Sequence, residues 1–115
     1  MPQTPFTLDP QLENDTHDVG KLGLCRVLLM DDVRFPWLIL VPERAGAVEI
    51  LDLSADDRRR LWAEIEQAGA AVRTLFSPDK LNIAALGNMV RQLHVHVIAR
   101  FASDAAWPRP VWGSG

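Results

Sequence analysis

Residues Gln92-Leu93-His94-Val95-His96-Val97-Ile98-Ala99-Arg100, QLHVHVIAR, hold two of the three histidines in a chain of 115 residues. Alternation of apolar and polar side chains has the period of a β-strand, because successive residues of an extended chain point to opposite faces. On a regular strand Leu93, Val95 and Val97 line one face and suit a core. Gln92, His94 and His96 line the other, and Arg91 points away from them. Arg100 shares the histidine face, farther along, as surface charge or as an anion contact. A core does not need three polar groups on one side. The pattern fits two uses of that face: a solvated sheet surface, where histidines cost little, or a pair of imidazoles that divide a reaction.

Imidazole suits such a division because its ordinary pKa of about 6.5 leaves much of it neutral near pH 7. One ring attacks an electrophile while the other donates a proton or a hydrogen bond to an oxygen of the reacting group. Gly87-Asn88, just upstream, adds what a phosphate needs: backbone without a side chain in the way, and an amide donor. A metal is the competing use. His17 is the remaining histidine, but no third His or Cys stands at motif spacing to the pair, so no metal is expected.

Outward from this strand, the pattern predicts an α+β fold with a mostly antiparallel sheet. PWLILV at 36–41 is apolar throughout and closes at Pro42, as a central strand does. CRVLLM at 25–30 reads as a strand that turns at Asp31-Asp32. The chain then loops back over 42–52, with a short turn or strand near Glu49-Ile50. Ser54 caps a long helix whose first turn carries Asp56-Asp57. Leu61, Ile65, Ala68, Val72 and Leu75 form its apolar stripe, and Ser77-Pro78 stops it. KLNIAAL at 80–86 precedes the glycine. Asp9-Pro10 caps a short helix near the start.

One domain over residues 1–115 is expected, with a Trp/Pro-rich tail from about 101. Hydrophobic residues make up 48%, ordinary for a globular protein, and the formal charge of -3 argues against an extended nucleic-acid surface. No run approaches the ~18 apolar residues of a membrane span. The first residues lack the basic start and apolar core of a signal peptide, so the cytoplasm is the expected location. Cys25, without an internal partner, is expected to be buried. Trp62 is expected to pack the helix. Trp107 and Trp112 anchor the tail to the body or to a partner, or else form a lid over the site. His17 is expected on the solvated surface.

GNMVRQLHVHVIAR, Gly87 to Arg100, resembles the signature of the histidine triad (HIT) superfamily, in which histidines alternate with apolar residues after a Gly, an amide residue and a valine. LLMDDVRFPWLILVPE is similar to the family's first strands, the DLS opening at Asp52 to its helix, and KLNIAALGNMV to the run before the triad. The resemblance spans roughly 22–100, in consistent order, and points to a small bacterial-type member. It implies a roughly five-stranded antiparallel sheet with one long and one short helix, the sheet extended across a homodimer.

The resemblance also implies a nucleotide-binding hydrolase or nucleotidyl transferase. It would cleave at the α-phosphate of a nucleoside phosphoramidate or a dinucleoside polyphosphate. His94 stands at the nucleophile that forms a nucleotidyl-histidine intermediate, and His96 at the third position, near phosphate oxygens and leaving group. Gly87 and Asn88 match the phosphate contact, Met89 stands where some members use serine, and Asp31 lies where members hold ribose hydroxyls. No cofactor is implied beyond the nucleotide itself, and no membrane partner. Two positions depart from the pattern. Gln92 replaces the first histidine of the triad and keeps hydrogen-bonding ability without titrating. Trp37 replaces an upstream histidine and is expected to remove a polar contact and narrow the substrate pocket. Both departures also suit a nucleotide-binding or scaffold protein of the same fold that has lost turnover.

Overall fold

Two strands without an exposed face set the frame. The computed structural model describes residues 5–114, and in it β3 (Trp37–Pro42) and β5 (Val95–Arg100) lie side by side, antiparallel, with Leu38 opposite Val97 and Ile39 opposite His96. Five strands pair in the order β1-β2-β3-β5-β4, every pair antiparallel, with β1 at Thr16–Lys21, β2 at Cys25–Met30 and β4 at Lys80–Ala84. Every residue of β5 is buried, since material covers both faces of the sheet.

Helix α2 (Ala55–Phe76) covers one face. Its Leu61, Ile65, Ala68 and Val72 meet Leu40, Val95, Val97 and Ala99. The other face carries Leu28, Trp37, Ile39, Val41 and Ile98. It is covered by Leu8 and Leu12 from the N-terminal segment and by Ala106 and Val111 from the tail. Leu12 belongs to the short helix α1 (Pro10–Asp15), which Asp9 caps by accepting from the Gln11 amide at 2.8 Å. The histidine face is therefore not a solvated sheet surface: chain ends that sequence periodicity does not locate fold over it.

The ends of α2 follow the sequence closely. Ser54 Oγ accepts from the Asp57 amide, and Ser77, in the left-handed conformation at φ 48°, donates its N–H to the Arg73 carbonyl. Leu75, expected in the apolar stripe, is 75% exposed; the buried stripe ends a turn earlier, at Val72. Between these ends Glu64 is buried against the sheet and accepts from the Leu24 and Cys25 amides, both at 2.8 Å. Cys25 is fully buried, and burial together with the Glu64 charge pushes its thiol pKa up. The 42–52 connection contains a 3-10 turn, Ile50–Asp52, held by Asp52 accepting from the Val48 and Glu49 amides. Among the described residues no helix is long and apolar enough to cross a membrane.

The motif strand begins at Val95, three residues later than the alternation predicts. Leu93 bonds instead to the loop, its N–H donating to the Ala47 carbonyl at 3.0 Å. His94 thus sits at the mouth of the strand and His96 within it.

Candidate active site

His94 is 7% exposed, and its Nδ1 lies 2.7 Å from the backbone oxygen of Gln92. A carbonyl oxygen only accepts, so Nδ1 carries the ring proton and Nε2 keeps its lone pair. The contact joins residues two apart in the irregular stretch before β5, so leaving strand pairing early is what brings this carbonyl round to the ring.

His96, 4% exposed, stands next to it with ring centroids 4.9 Å apart in an edge-on arrangement. The Trp37 indole Nε1–H donates to His96 Nδ1 at 2.9 Å. Trp37 therefore supplies a polar contact, contrary to the expectation that it removes one; its place on β3, across from β5, aims the indole at the imidazole. Trp112 from the tail packs edge-on against His96 at 4.9 Å and against Trp37 at 5.9 Å. Burial, and then the neighbouring His94, lower the His96 pKa to about 4.

Gln92 uses both ends of its side-chain amide on the N-terminal segment. Nε2 donates to the Thr7 carbonyl and Oε1 accepts from the Asp9 amide, each at 2.8 Å. In effect the side chain acts as a short piece of strand edge for residues 7–9. Gly87, Gln92 and His94 share the wall of a cavity of about 180 Å³ with Val48, Ile50 and Leu86. Gly87 has φ 79°, a conformation that residues with a Cβ rarely adopt, so the turn favours glycine there. Asn88 and Met89 follow it on the exposed part of the same loop, outside the walls of that cavity. Asp31 lies at the turn after β2, 3.5 Å from Nε2 of the exposed His17, beside a separate open hollow that also touches Met30 and Asp32. The fold thus gathers Gln92, His94, His96, Trp37 and Gly87, and leaves Asp31 at another turn.

Arg100 is neither surface charge nor anion contact. It is 2% exposed, paired through two bonds to Asp104, and donates further to Asn82 Oδ1 at 2.8 Å and to the Arg109 carbonyl at 2.7 Å. These bonds tie β5 to β4 and to the tail. Sequence reading missed this hub, and it offered Trp112 as a tail anchor or a lid over the site without naming His96 as its contact. The spacing of four between Arg100 and Asp104 was the available signal for the first; nothing local signals the second.

The HIT domain family matches residues 11–103. The chain belongs to the HIT family. Among solved HIT structures, a histidine triad protein from Bradyrhizobium japonicum is 51% identical with a TM-score of 0.96, covering 97% of this chain and 84% of that one. One from Sinorhizobium meliloti 1021 is 52% identical with a TM-score of 0.94, over 96% and 82%. One from Marinobacter aquaeolei VT8 is 47% identical with a TM-score of 0.95, over 97% and 82%. More distant in sequence are the "AP-4-A phosphorylase" proteins of two Mycobacterium tuberculosis strains, 30% identical over 98% of this chain. The chain spans 62% of the length of those curated relatives.

Proposed function

We propose that this HIT protein is a nucleotide-binding hydrolase or nucleotidyl transferase that cleaves at the α-phosphate of a nucleoside phosphoramidate or dinucleoside polyphosphate. The carrying observation is the bond between His94 Nδ1 and the Gln92 carbonyl, which makes Nε2 the ring nitrogen free to attack. Family membership and the likeness to proteins named for a dinucleoside polyphosphate support nucleotide processing in general. In the first step Nε2 forms a bond to the α-phosphorus and the leaving group departs with the electron pair of its bond to phosphorus. In the second, water or another acceptor attacks the phosphorus, gives up a proton, and the N–P bond breaks to restore the imidazole. Splitting one displacement into two lowers each barrier. His96 supplies a side-chain donor beside His94, Gly87 leaves its backbone accessible, and Asn88 would serve as a further donor only if its exposed loop closed onto the phosphate. Gln92 acts through its backbone carbonyl, its side chain being committed to the N-terminal segment. No cofactor takes part in these steps.

Two copies are expected to join along β4. It is an edge strand beside exposed Ile83, Leu86 and Trp62, and pairing there extends the sheet. The mass of the protein in solution tests this.

One observation favours a binding protein without turnover. Both histidines are largely covered, at 7% and 4% exposure, and Trp112 packs on His96, which leaves little open surface at the rings. Turnover decides between the two. Adenosine phosphoramidate, diadenosine polyphosphates and their guanosine counterparts are offered to the wild type and to His94→Ala. Product from the wild type alone, with nucleotide binding retained by His94→Ala, supports the enzyme; binding without product from either refutes it.

A further inference from the structure

We propose that Trp37 is a positioning residue that fixes His96 as a neutral imidazole with its proton on Nε2, leaving His96 to serve the reaction as a hydrogen-bond donor. The role in a reaction rests on the function proposed above; the fixed tautomer does not.

An indole N–H donates and never accepts. With Trp37 Nε1 at 2.9 Å from His96 Nδ1, that nitrogen must offer its lone pair, and the ring proton is left on Nε2. A second proton on Nδ1 would set two N–H groups head to head in a buried space, costing both their hydrogen bond. The surroundings offer the imidazolium nothing in return. Across the strand pairing, His96 faces Ile39 of β3 and Ala84 of β4; around the ring stand Trp37 of β3, Trp112 of the tail and His94. Of these only His94 titrates, and its charge would oppose a second one. Burial and His94 act in the same direction, lowering the His96 pKa to about 4.

The neighbouring rings therefore hold opposite tautomers. A backbone carbonyl puts the His94 proton on Nδ1, and an indole puts the His96 proton on Nε2. One ring presents a lone pair and the other an N–H, which is the division of labour a displacement at phosphorus requires. His96 gives this bond without giving up the proton, because a neutral ring that lost Nε2–H would become an anion. The proton for an amine leaving group then comes from solvent. A side chain such as Phe at 37 fills similar space and cannot impose the tautomer. That separates positioning from packing.

The test is nitrogen-15 NMR of the histidine rings in the full chain, wild type and Trp37→Phe, from pH 8 to pH 4.5. The wild type is expected to show His96 protonated on Nε2 with no titration down to pH 5. Trp37→Phe is expected to show mixed tautomers, with burial and His94 still holding the titration low. A wild-type His96 that carries its proton on Nδ1, or titrates near 6.5, overturns the inference even if no variant folds. A folded Trp37→Phe with unchanged ring signals also overturns it and leaves Trp37 a packing residue. Turnover run alongside separates the two proposals: the expected ring signals with no product from any nucleotide uphold the tautomer and refute the enzyme.

Discussion

Replacing Asp104 by Asn removes one charge and almost no volume, and should cost about 3–5 kcal/mol, the range for breaking one side of a buried ion pair. Oδ2 accepts from Arg100 Nε at 2.8 Å and from the Phe101 amide at 3.0 Å. Oδ1 accepts from Arg100 Nη2 at 3.1 Å, the Ala106 amide at 3.0 Å and the Trp107 amide at 2.8 Å. Both side chains are 2–3% exposed, so water does not replace what is lost. Asn keeps one of the two oxygens. Its amino group then faces two donors, and the Arg100 guanidinium loses its counter-charge. The urea midpoint, with an unchanged slope, measures the cost. Since Ala106, Val111 and Trp112 lie on the segment that Asp104 holds, amide exchange should rise across 101–114 before it rises in β5. Acid titration gives an independent check. Arg100 holds the Asp104 carboxyl well below the usual carboxylate range, so its stabilisation is present above the unfolded value of 3.8 and is lost as pH falls through the folded value. Asp104→Asn should lack that portion of the acid loss. A cost under about 1 kcal/mol would place the pair among those that contribute little and refute the hub.

Gln92→Leu removes the two bonds to the N-terminal segment, at about 0.5–1.5 kcal/mol each, while the His94 bond to the main-chain carbonyl survives. The Asp9 amide should exchange faster with the His94 tautomer unchanged, and equal Asp9 protection would contradict the role given to Gln92. Glu64→Gln leaves one oxygen for the Leu24 and Cys25 amides, so one of them loses its acceptor at a cost of about 1–3 kcal/mol, read from urea unfolding. His96 is buried neutral, with its folded pKa near 4 below the ordinary 6.5. The unfolded chain therefore takes up a proton that the folded one refuses. Stability should be full above pH 6.5 and decline by up to roughly 3 kcal/mol as pH falls toward 4. His96→Gln should flatten that window, and a wild-type unfolding free energy constant from pH 7 to 4.5 would refute it.

Period and punctuation made the elements legible. The continuous apolar run at 36–41 gave the central strand, Ser54 and Ser77-Pro78 bounded the long helix, and Asp9-Pro10 capped the short one. Each of these is local: a capping oxygen, a fixed proline φ, or a side chain every second or fourth residue. His94, His96 and Gln92 were also legible as a set, because alternation placed them on one side.

What the pattern could not carry was contact between distant segments. Alternation runs on to Gln92, yet the strand stops at Val95, since the partner of Leu93 is a loop carbonyl that only the folded chain delivers. Arg100 looked exposed because its counter-charge lies in a tail without periodicity. Trp37 read as the loss of a histidine; its indole proves to be the donor to His96 only when β3 and β5 lie side by side. The sequence by itself determined the central strand, the strand before it, the two helices and which polar side chains share one face, but not the strand at Thr16–Lys21. The tertiary structure decided the tautomers, the burial and the partners of those side chains. Most of those properties depend on groups that the fold brings from far along the chain, His94 with its acceptor two residues away being the exception, and hydrogen bonds act only over about 3 Å.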